Sequence, residues 1–160
     1  MKLMKNIARL FLALAVIAAP IAAFSADDKK MDPLMEPVKS VLDHYLAIQK
    51  ELTKDSMKGV NEHATAIAKA VKGDEMKMLP AEVAQQAETL AAAKDIKKAR
   101  EAFKPLSASL VKYLADNKAG EGKYHEAYCP MAKASWLQTE KQVRNPYYGK
   151  SMLDCGELKN

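Results

Sequence analysis

Apolar side chains recur at spacings of three and four in four separate runs along the first two thirds of this chain, and each run predicts an amphipathic helix. Val38, Val41, Leu42, Tyr45, Ile48 and Leu52 make the first stripe, with Pro33 and Pro37 where a helix begins. Val60, Ala64, Ile67, Ala68 and Val71 make the second, with Asp55 as an acceptable N-cap and Gly73 as its end. The third opens at Pro80, a suitable first helical position, and runs through Val83, Ala87, Leu90 and Ala91. The fourth starts near Asp95 and is the cleanest: Ile96, Ala99, Phe103, Leu106, Leu110, Tyr113 and Leu114. Pro105 lies inside it, so the Glu101 carbonyl loses its helical donor and a kink is expected. Short connections between the four predict an all-α, up-and-down four-helix bundle over residues 35–117.

The helical period stops after Asn117, and residues 118–160 form an irregular tail expected to pack on the bundle. Turn residues and aromatics replace the stripe, with weak signals for short strands around 124–128 and 135–142. The sole tryptophan and four of the six tyrosines follow Lys123. Trp136, Tyr147 and Tyr148 are expected to seat the tail on the helices.

The start of the chain has the form of an export signal. A basic stretch (Lys2, Lys5, Arg9) precedes an apolar run from Leu10 to Phe24, and Ala23-Phe24-Ser25 has the small residues a signal peptidase reads. Residues 1–25 are therefore expected to be removed, with 26–34 a flexible mature N-terminus. A periplasmic protein is implied, with no membrane attachment once the signal is gone. Removing Lys2, Lys5 and Arg9 from the formal charge of +5 leaves about +2, which gives no argument for nucleic acid.

Both cysteines lie in the tail, each with a methionine nearby: Cys129-x-Met131 and Met152-x-x-Cys155. Two thiolates and two thioethers suit Cu(I) through their softness, with silver as the related ion. His125 could add an imidazole. The competing reading is a disulfide, since exported cysteines meet an oxidising compartment. Closing that loop of about 26 residues would restrict the unfolded chain by ~3 kcal/mol. His44 and His63, on the first two helices, read as solvated or boundary residues, and Met57, Met76 and Met78 as core or gap filling. Asn145-Pro146 reads as a turn former. No serine–histidine–acid motif, Gly-rich phosphate loop, HExxH or CxxC is present, so the chain does not read as an enzyme.

Tyr128-Cys129-Pro130-Met131, Trp136-Leu137, Asn145-Pro146-Tyr147-Tyr148-Gly149, Met152-Leu153 and Cys155-Gly156-Glu157 together resemble the C-terminal signature of an uncharacterised bacterial domain family. That domain occurs alone after a signal peptide or fused to periplasmic adaptor subunits of heavy-metal efflux systems. The stretches Ala93-Lys94-Asp95-Ile96 and Ala102-Phe103-Lys104-Pro105-Leu106-Ser107 resemble its helical part, so the likeness is expected to cover nearly all of the mature chain. The Cys-Pro-Met run is also similar to a short module of copper and silver exporters, where it continues into His-Pro. Here Ala132-Lys133 follows. The resemblance implies a periplasmic helical domain associated with copper, with Cys129, Met131, Met152 and Cys155 at stake and an efflux adaptor or another copper protein as partner. It puts metal binding ahead of the alternative, a disulfide-stapled helical interaction module that meets no metal.

Overall fold

The computed structural model describes residues 34–159; the expected signal peptide and most of the segment 26–34 lie outside them. Four helices form: α1 (Val38–Thr53), α2 (Val60–Lys72), α3 (Ala81–Ala91) and α4 (Ile96–Asn117). Every residue of the first two apolar stripes is buried. The helices pack in chain order, α1 on α2, α2 on α3 and α3 on α4. Asn61 of α2 donates to the carbonyls of Ala91 (2.6 Å) and Ala93 (2.9 Å), satisfying acceptors at the end of α3 that have no intrahelical partner. Asp95 caps α4 by accepting from the Lys98 N–H at 2.8 Å, and the helix continues through Pro105.

Asp55 does not cap α2. Gly59 takes that position in left-handed backbone at φ 73°, while the Asp55 carboxylate turns away to Arg100 at 2.5 Å and to the Lys150 N–H at 3.3 Å. A charged partner on α4 outcompetes the local capping bond.

The four helices are not the whole of the fold. Beyond α4 a three-stranded antiparallel sheet forms from β1 (His125–Cys129), β2 (Ala134–Gln138) and β3 (Glu157–Leu158), in the order β2-β1-β3. The first two strands overlap the stretches where the sequence shows weak strand signals, each extending one residue beyond, to Cys129 and to Ala134. The third is two residues long, too short for alternation to register.

The tail shares one core with the helices. Its β2 packs on α4, and the buried set runs continuously from Val38 to Tyr147. Tyr45 of α1 stacks on Phe103 of α4 with centroids 4.8 Å apart. Its hydroxyl lies 2.8 Å from the Ser107 hydroxyl and accepts from the Leu137 N–H at 3.0 Å, tying α1, α4 and β2 at one atom. Burial pushes the Tyr45 phenol well above its ordinary range, against those two hydrogen bonds, so it stays neutral. Trp136 meets Tyr147 edge-on at 5.7 Å, and Tyr147 leans on Phe103 at 6.2 Å. Trp136 and Tyr147 thus seat the tail as expected, while Tyr148 is half-buried.

Two polar clamps fix the loop after β2. Arg100 donates to the carbonyls of Pro146 and Leu52, each at 2.9 Å, and Gln49 donates to the Arg144 carbonyl at 2.9 Å. Gln138, fully buried at the end of β2, takes the Trp136 indole N–H and the Arg144 N–H on its oxygen, and donates to the carbonyls of Glu140 and Gln142. Its amide organises the turn that sends the chain back towards β1.

Candidate functional site

The hairpin positions the first cysteine. Cys129 is the last residue of β1, paired with Ala134 across a four-residue turn at residues 130–133, and Lys133 closes that turn at φ 50°. Alternation puts Cys129 on the same face as Ala127 and Trp136, and it is fully buried. Pro130 cannot donate, but the turn folds the Ala132 N–H back to 3.5 Å from the Cys129 sulfur.

The second cysteine is positioned by Asn145, a fully buried side chain at the head of the loop. Its oxygen accepts from the N–H groups of Tyr147 (2.8 Å) and Tyr148 (3.3 Å), and its amide nitrogen donates to the Cys155 carbonyl at 2.7 Å. The Asn145 N–H donates to the Leu153 carbonyl at 2.7 Å. One residue therefore ties both ends of the 145–155 loop, which also contains a 3₁₀ turn at Gly149–Ser151. Gly156 follows at φ 135°, where a Cβ would stand 2.7 Å from the Tyr128 carbonyl oxygen and 3.0 Å from the Trp136 ring. That approach, open only to glycine, lets β3 pair with β1 and brings Cys155 alongside Cys129.

The two sulfurs lie 3.0 Å apart, both as free thiols, with Cys155 half-buried. Burial raises the Cys129 pKa, but the Cys155 thiol, the N–H groups of Ala132 and Met131 and the Asn145 amide outweigh it, leaving Cys129 below the ordinary thiol range. Cys155 is pushed the other way, first by its hydrogen bond to Cys129, then by burial and the Cys129 charge. When the pair loses one proton it leaves from Cys129, and the remaining proton stays on Cys155. A buried low-pKa sulfur beside a half-exposed one can ligate a soft cation or close to a disulfide.

The other residues singled out in the sequence are arranged less tightly. Met131 sits in the hairpin turn two residues from Cys129, and 61 % of it is exposed. Met152 is half-buried and supplies the carbonyl that accepts from the Cys155 N–H at 3.1 Å. His125 shares the Cys129 face of β1 but stands at the other end of the strand, about 13 Å away at ~3.3 Å per residue. The structure brings the cysteines together, keeps both methionines next to them in the chain, and does not bring His125 to the sulfurs. Among the described residues, no three histidine, cysteine or acidic side chains converge as a metal group.

Two features escape the sequence reading. Asn145 looks like a turn former and is the buried hub of the loop; its place between a β-strand and an aromatic pair was the available signal. His44 and His63 look like boundary residues, yet their Nδ1 atoms lie 3.0 Å apart across α1 and α2. Both flank apolar stripes of consecutive helices, which was the clue that they meet.

Comparison with known proteins returns a family model described as "Protein of unknown function (DUF3347)", which matches residues 41–122. The match runs from within α1 to the loop after α4 and ends before β1, so it does not reach the Tyr128 to Glu157 elements. No curated protein and no solved structure matches the chain.

Proposed function

We propose that this chain, which belongs to the DUF3347 family of unknown function, is a periplasmic copper-handling protein whose up-and-down helical bundle carries a two-cysteine Cu(I) site in its tail. The observation that supports the reading best is the 3.0 Å contact between Cys129 and Cys155, with the buried sulfur biased towards thiolate. Thiolates are the ligands soft cations prefer, the lowered Cys129 gives up its proton most readily, and binding through both sulfurs releases the proton that Cys155 holds.

The donor set fits such an ion with a small adjustment. Metal–sulfur bonds of about 2.3 Å at tetrahedral angles separate two sulfurs by roughly 3.8 Å. The observed pair is closer, so Cys155, the half-exposed partner, turns outward while Cys129 stays under its turn. Cys129 and Cys155 would anchor the ion, and Met131 and Met152 would offer thioethers from the neighbouring turns. Silver shares this chemistry. His125, at the far end of β1, is not part of the proposed ligand set.

The expected export signal and the resemblance of the tail to domains found alone or fused to efflux adaptors, both read from the sequence, are the grounds for a role in holding copper for an efflux or resistance system, without catalysis. The test is anaerobic titration of the reduced chain with Cu(I) against a chromophoric chelator. Stoichiometric capture that weakens by orders of magnitude in Cys129→Ser, with helical content unchanged, is the expected result; equal affinity in the variant defeats the reading.

A second reading draws on the same distance. A disulfide needs its sulfurs at about 2.05 Å, roughly 1 Å closer than they stand, and forms when the two thiols give two electrons and two protons to a thiol oxidant. The chain would then be a stapled helical module that docks on a partner protein. Protein isolated with no free thiol and indifferent to copper after reduction favours this reading over the first.

A further inference from the structure

We infer that His44 and His63 form a second, separate cation site, a bis-imidazole bite for a tetragonal divalent ion of the Cu2+ or Ni2+ class. The inference does not rest on the sulfur pair. It rests on two of the chain's three histidines, far apart in sequence, meeting Nδ1 to Nδ1 at 3.0 Å across the α1–α2 interface. Their rings stand 5.2 Å apart between centroids and 41° between planes, and both are half-buried.

The separation is informative. With metal–nitrogen bonds of 2.0–2.1 Å, two nitrogens 3.0 Å apart subtend about 94° at a shared ion, close to the right angle between neighbouring positions of a tetragonal complex. A tetrahedral ion would need them wider, at roughly 3.3 Å, and a linear one wider still, at about 4 Å. The observed spacing lies nearest the tetragonal value.

Each histidine is directly preceded by an exposed acid, Asp43 before His44 and Glu62 before His63, while Asp43 also interacts with Lys123 and Lys58 precedes Gly59. On the His63 side the backbone is held close: Gly59 caps α2 in left-handed backbone, and a Cβ there would stand 3.4 Å from the imidazole Cδ2. As the structure stands, one imidazole donates its Nδ1 hydrogen to the other. Binding needs both Nδ1 lone pairs, so the donor ring's hydrogen moves to its own Nε2 and two neutral rings face the ion. Water completes the coordination, because among the described residues no third histidine, cysteine or acid joins the pair.

His125 provides an internal control, since it lies on β1 outside this interface. The first measurement is Cu2+ titration of the chain carrying Cys129→Ser and Cys155→Ser, read by electron paramagnetic resonance. One ion per chain with superhyperfine structure from two nitrogens is expected. Either His44→Ala or His63→Ala should abolish that structure and weaken binding by more than the roughly 10–100-fold that loss of an outer-shell partner costs. His125→Ala should change neither. Binding that is indifferent to His44 and His63, or equally sensitive to His125, overturns the inference. Should the double serine chain not fold, the native chain serves: saturating Ni2+ should slow diethylpyrocarbonate modification of His44 and His63 but not His125, and equal rates at all three with and without Ni2+ also overturn it.

Discussion

Replacing Asn145 with alanine should remove the device that brings the cysteines together. The Asn145 side chain makes three hydrogen bonds from a fully buried position, to the N–H groups of Tyr147 and Tyr148 and to the Cys155 carbonyl. At about 1 kcal/mol of net stability each, their loss amounts to about 3 kcal/mol, since the groups left behind have poor access to water. Because the tail and helices share one core, the cost should appear in cooperative unfolding of the whole unit. With a urea dependence of about 2 kcal/mol per molar, the midpoint should fall by about 1.5 M. The same variant frees the Cys155 backbone, so Cys155 alkylation in native buffer should accelerate. A midpoint shift below about 0.3 M would refute the assignment of Asn145 as the hub. A large shift with unchanged Cys155 reactivity would show that the amide stabilises the loop without positioning the thiol.

Two further outcomes follow from the same geometry. Tyr45→Phe strips the acceptor from the Leu137 N–H and the partner from the Ser107 hydroxyl; a loss of about 1–3 kcal/mol and faster hydrogen exchange at the Leu137 amide are expected, and unchanged exchange would exclude the bridge. Thiolate absorbance at 240 nm should rise in two steps, the first below and the second above the ordinary cysteine range, while Cys155→Ser should leave a single step. The signs differ between the two sulfurs. Cys129, depressed in the folded state, contributes stability that is present above its unfolded pKa and lost as pH falls through the folded one; Cys155, raised, contributes stability present below its unfolded pKa and lost as pH rises through the folded one.

The helices were legible because burial of one stripe is a local, periodic signal. Each of the twelve largest fully buried side chains except Trp136 and Gln138 lies on one of the four helices. What could not be read locally depended on partners far along the chain. Asp55 left its capping role for Arg100, 45 residues away, and Gln49 and Tyr45 of α1 were committed to the tail more than 90 residues later. The site was half legible. The cysteines declared themselves by their methionine neighbours, and their approach hinges on Asn145 and Gly156, whose types suggest a turn and a flexible joint without saying what they join. The His44–His63 contact crosses two helices whose relative rotation no periodicity specifies.

The bond from the Leu137 N–H to the Tyr45 hydroxyl bears on how this architecture can be passed between proteins. The family match ends at residue 122, yet the faces of Tyr45, Phe103 and Ser107 are covered by what comes after it. A chain cut at that boundary would uncover an aromatic seam on α1 and α4, and the tail transplanted alone would lose the hydroxyl that fixes its edge strand β2. The folding unit is therefore larger than the matched segment, because the helices and the tail bury one another's faces in a single core.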